Sequence, residues 1–147
     1  MLRRLAALLA GLWAGVLAGV AGIATPAAFA VLPRADAGRV AGRILATEAY
    51  LSLALALLLV FIERRRARDA AEAGQGSMLS PDLLLVLGTL FCTLAGHFAL
   101  QPMMAAARGG QGAWSFGTLH AVSSSFFAVK GLLVLALAWR LSRAATS

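Results

Sequence analysis

Residues Leu119 to Trp139 read "LHAVSSSFFAVKGLLVLALAW". The run is apolar almost throughout and reaches the ~20 residues that carry an α-helix across ~30 Å of hydrocarbon. Lys130 stands near its middle. An ammonium group surrounded by lipid costs from about 3 to above 10 kcal/mol, so such a residue faces protein or a wet cavity. Lysine can also snorkel toward an interface along its apolar stem.

Three more apolar blocks precede this one. The four candidate spans are 5–32, 43–62, 83–101 and 117–139, with a charged loop over 63–80 whose opening "ERRRARDAAEAGQG" is expected to extend the second helix until near Gly74. In oil each backbone N–H and C=O must be satisfied within its own segment, so each block is expected to be helical. The fold class that follows is all-α: an integral membrane four-helix bundle in a single domain. The bulk figures agree. The 147 residues are 61% hydrophobic with a mean hydropathy of +0.84, well above a soluble domain.

The net charge of +7 comes from arginines at the ends of the blocks, as in membrane-flanking anchors. No basic-aromatic interleaving supports nucleic-acid binding. The lone Cys92 excludes an internal disulfide and a C-x-x-C site; inside an apolar block it reads as a small buried hydrophobe. No G-x-S-x-G, Walker loop or H-E-x-x-H occurs, so no catalytic residue is assigned.

Arginine counting sets an expected orientation. With the N-terminus inside, Arg3, Arg4, Arg64, Arg65, Arg66, Arg68, Arg140 and Arg143 are inner, while Arg34, Arg39, Arg43 and Arg108 are outer. The bias favours both termini in the cytoplasm. "SPD" at Ser80–Asp82 is a helix start: a capping Ser, Pro in the first turn, an acid at the positive end of the dipole. Pro102 is expected to end the third helix. "MLRR", an apolar run and "AFA" at Ala28–Ala30 offer an alternative for the first block, a signal peptide cleaved before Val31.

Some helix faces carry patterns. Gly11, Gly15, Gly19 and Gly22 form a stripe on the first helix that admits a close second backbone. The neighbour is either another helix of the bundle or a second copy, which would make a homo-oligomer. On the fourth helix His120, Ser123, Ser124, Phe127, Lys130 and Gly131 share a face; on the third, Thr89, Thr93, Gly96 and His97 do, and both faces are expected to point to the bundle interior. Glu48 is the acid inside a span. At 1.5 Å per residue it lies about 8 Å below the outer boundary, against roughly 20 Å for Lys130, so a direct pair is stretched. His97 and His120 lie about 6 Å and 5 Å deep. Two imidazoles at matching depth could ligate haem b or copper. Glu48 and Lys130 could instead be the polar centre of a small carrier or channel.

The stretch Leu12–Leu53 also carries a resemblance. A Trp-x-Gly at Trp13–Gly15, a Pro-x-x-Phe at Pro26–Phe29, the turn "LPRADAGRVAGRI" and the "LHAVSS" opening the last helix occur in order. The chain resembles bacterial membrane proteins with a domain of unknown function whose eukaryotic relatives are called transmembrane protein 205. That resemblance implies a four-helix multi-pass protein of the bacterial inner membrane, with no settled activity. The bundle is also similar to copper-resistance D-type and haem-binding four-helix proteins, which use a histidine on the first helix. This chain has no histidine before His97.

Overall fold

The computed structural model describes residues 1–75 and 77–143. Its helices are α1 (Leu2–Val31), α2 (Arg34–Glu72), α3 (Pro81–Arg108) and α4 (Phe116–Arg143). All four are long and apolar enough to cross a membrane. Each packs on two neighbours in a closed ring, α1 on α2, α2 on α3, α3 on α4 and α4 on α1. The diagonals α1–α3 and α2–α4 are not in backbone contact. The bundle therefore runs up and down, with both termini and the α2–α3 connection at one end.

Local chemistry marks the helix ends. Ser80 accepts from the N–H of Leu83 at 3.1 Å, with Pro81 and Asp82 in the first turn of α3. Ser115 caps α4 likewise, accepting from the N–H of Thr118. Two helices end in the same motif. Gly74 has φ +70° while Gln75 N–H donates to Ala70 C=O, and Gly110 has φ +72° while Gln111 N–H donates to Ala106 C=O. A left-handed glycine at that position lets the chain turn back onto the last carbonyls.

The helices are longer than the expected spans. α2 begins at Arg34 rather than 43, because Pro33 leads in and Asp36 supports the first turn through its pair with Arg39 at 2.7 Å. Its 39 residues extend roughly 58 Å, past any hydrocarbon layer. Pro102 does not end α3, which continues to Arg108. A π-helical turn over Leu94–Ala99 precedes it and absorbs the missing N–H by shifting the hydrogen-bond ladder. α1 does the same, with a π turn over Val20–Ala24 just before Pro26.

The two helical hairpins share a plan that the sequence does not announce as a repeat. Around Pro26, Ala10, Trp13, Leu17 and Ala28 are buried; around Pro102 the same register positions, Val86, Thr89, Thr93 and Met104, are buried. On the second helix of each hairpin, Ala37, Glu48, Ser52 and Leu59 correspond in register to Leu119, Lys130, Val134 and Leu141, all buried.

A core of Ala6, Ala10, Trp13, Leu17, Ala56, Leu59, Ile62, Val86, Val134, Leu137 and Leu141 fills the half of the bundle nearer the termini. Small alanines let the helices approach, and tight packing holds them where lipid offers no hydrophobic drive. Large apolar side chains such as Ile23, Phe61, Leu132 and Trp139 point outward. A surface of that kind requires oil around it. The chain is a multi-pass membrane protein.

Candidate functional site

The site begins with Glu48 on α2. Its carboxylate receives Lys130 Nζ at 2.8 Å to each oxygen, across the α2–α4 diagonal. Lys130 is 3% exposed and Glu48 4%. Counted from the observed helix starts, both residues lie fourteen positions in, roughly 21 Å along their helices. The stretch expected from the shorter second span disappears because α2 starts nine residues earlier. Both side chains lean toward their helix N-termini, which lie at the same end of the bundle.

Ser52, one turn along α2, completes the pair. Its hydroxyl donates to Glu48 Oε1 and accepts from Trp13 Nε1 at 2.8 Å and from Lys130 Nζ at 3.3 Å. The three ammonium protons thus meet three acceptors, and the Ser52 oxygen uses its proton and both lone pairs. Lys130 Nζ also lies 4.9 Å from the ring centre of Phe127. Every polar group of the network is partnered, as charges held in low dielectric require. Three helices, α1, α2 and α4, therefore contribute to one polar centre.

Trp13 and Ser52 are network members that sequence reading missed. Ser52 shares a face with Glu48 at the i+4 spacing, a signal that was legible. An indole N–H in an apolar helix carries no such signal.

Of the other candidate residues, Ser123, His97 and His120 have partners of their own. Ser123 donates to the carbonyl of Gly96 at 2.6 Å, binding α4 to α3. Ser124 and His120 are exposed, so the polar face of α4 does not turn inward as a unit. His120 stacks on Phe116 at 5.7 Å, and His97 meets Phe98 edge-on at 5.1 Å. Among the described residues no three His, Cys, Asp or Glu side chains form a metal-binding group. The glycine stripe does not pack inside the bundle. A Cβ at Gly11, Gly15, Gly19 or Gly22 would meet nothing within 4 Å, because Ala6, Ala10, Trp13 and Leu17 form the inward face of α1. The close helix approach lies instead at Gly96, where a Cβ would come within 2.6 Å of Phe126 Cβ.

No curated protein and no solved structure matches the chain. Residues 8–112 match a family described as a domain of unknown function, DUF4149. The match includes Trp13, Glu48 and Ser52 and runs past the end of α3; Lys130 lies beyond it. With most of its length matched, the chain belongs to the DUF4149 family.

Proposed function

We propose that this chain is a non-enzymatic, transport-related protein of the bacterial inner membrane, with both termini cytoplasmic and Glu48–Lys130 as its polar centre. One observation carries the reading: a fully desolvated ion pair ties together two helices that have no backbone contact. Replacing such a pair by apolar side chains is often neutral or stabilising, so stability alone does not account for charges in a bilayer bundle. Charges at that depth in membrane proteins mark ion and proton paths. The π turns add support. α1 and α3 each carry a π turn just before a proline at corresponding positions, and π turns within helices are frequent at functional sites. Loss of the Glu48 charge would remove the Coulomb attraction and weaken the link between α2 and α4, leaving Lys130 with Ser52 as its remaining strong partner.

The arginine distribution supports the orientation. The motif order from Trp13 to Leu53 supports inner-membrane residence and kinship with transmembrane protein 205.

The test is proton uptake into liposomes containing the purified protein, read by an entrapped pH dye under a potassium-diffusion potential. Wild type should take up protons faster than empty liposomes. The Glu48→Gln/Lys130→Met double variant, still monodisperse in detergent, should fall to the empty-liposome rate. Wild-type uptake no faster than empty liposomes, or an unimpaired double variant, rejects the reading.

A further inference from the structure

Beside the ion-pair network, an apolar groove of the bundle adjoins a cation with no acidic partner among the described residues. A groove of about 300 Å³ runs between α1 and α2, lined by Val16, Val20, Arg43, Ile44, Thr47, Glu48 and Leu51. It opens where the π turn of α1 begins at Val20. Its walls are aliphatic. The Thr47 hydroxyl is committed to the carbonyl of Arg43 at 3.0 Å, and the Glu48 carboxylate is taken up by Lys130 and Ser52. Arg43 differs from its neighbour one turn back. Arg39 is paired with Asp36, whereas the exposed Arg43 guanidinium has no carboxylate or other side-chain partner among the described residues.

The position of Arg43 says what would neutralise it. Nineteen residues, Ile44 to Ile62, separate it from the charged run that starts at Glu63. As helix they cover roughly 28 Å, the thickness of the hydrocarbon layer. Arg43 therefore stands at headgroup depth, with the groove running from it into the acyl region. A planar guanidinium binds phosphate through two parallel hydrogen bonds. We propose that this groove holds one anionic phospholipid, its phosphate on Arg43 and one acyl chain along Val16, Val20, Ile44 and Leu51. The lining below Arg43 favours this polarity: the Thr47 hydroxyl and the Glu48 carboxylate already have partners, so the aliphatic surface down to Leu51 and Val16 suits an apolar tail and offers a headgroup nothing to bind.

Native mass spectrometry of the detergent-solubilised full chain tests this, with phosphatidylglycerol and phosphatidylcholine of identical chains as the probes. Wild type should retain one phosphatidylglycerol in preference to phosphatidylcholine. Arg43→Gln should weaken that retention about tenfold, the equivalent of about 1.4 kcal/mol. Arg34→Gln, outside the groove, should leave it unchanged. Val16→Trp, which fills the groove without altering charge, should reduce retention of both lipids. Equal retention by Arg43→Gln and wild type overturns the proposal. So does an equal loss in Arg34→Gln, which would show only diffuse surface charge, or full retention by Val16→Trp. The readout is lipid retention, not flux, so the groove and the ion-pair reading stand or fall separately.

Discussion

At Lys130 three donors meet three acceptors, so removing any one group strands another. Glu48→Gln or Lys130→Met alone leaves an uncompensated buried charge and should lower stability by about 3–5 kcal/mol. Thermal unfolding in a fixed detergent would measure it. The double variant should recover most of the loss, because neither charge remains; a double variant no better than the singles would mean that the pair is not the coupled unit seen here. Ser52→Ala strands the Trp13 indole N–H and should cost about 1–3 kcal/mol. Trp13→Phe removes a donor whose acceptor keeps Lys130 as a partner, so the hydrogen-bond loss is smaller, about 1 kcal/mol. The order of those two effects, read in the same melt, checks the direction of the network.

Between elements, the glycines divide by what they face. Gly96→Ala drives a methyl group into Phe126 Cβ at the point where Ser123 also bonds the Gly96 carbonyl. The α3–α4 contact must open, at a cost of about 1–3 kcal/mol. Gly15→Ala meets open space on a regular helix and should be neutral or slightly stabilising, since alanine is the better helix former. Comparing the two variants in one melting series separates a packing glycine from one that faces lipid or a second copy. The Asp82–Arg140 bridge between the first turn of α3 and the last turn of α4 measures 2.8 Å, but Arg140 is half exposed. Asp82→Asn should change stability by no more than about 1 kcal/mol, less at high salt.

Over the whole molecule, an even number of crossings returns both termini to one side. The proposed orientation predicts that a fluorescent-protein fusion after the C-terminus glows in the cytoplasm, while an alkaline phosphatase fusion there is inactive. A reporter placed in the 109–115 connection should behave in the opposite way. The reverse pattern at both sites would invert the topology without altering the bundle. The shared register of the two hairpins bears on this scale as well. It puts Glu48 and Lys130 at equivalent places on the diagonal helices, so a contact across the bundle centre follows from the arrangement of the halves.

Four apolar helices could be read from composition and length, because a bilayer sets both requirements and the chain's polar breaks mark the limits. Helix starts at Ser80 and the glycine at 74 were legible for the same reason: capping is local chemistry. The continuation through Pro102 was not, since the π turn that accommodates it depends on the packing of α3 against α4. The inward face of α3 was legible in Thr89, Thr93 and Gly96, all buried, but the inward face of α1 was not. In water, polar residues mark the outside, whereas in lipid both outside and core are apolar and the periodicity fades. That is why spacing left two readings open for the glycine stripe and grouped the exposed His120 and Ser124 with the buried Lys130. The sequence by itself determined that this chain crosses oil four times and carries a lysine and a glutamate inside it. Only the tertiary structure decided that α2 and α4 stand on a diagonal, with those two charges meeting at its centre. Lateral placement of helices arises from side-chain packing between distant segments, which no local pattern encodes.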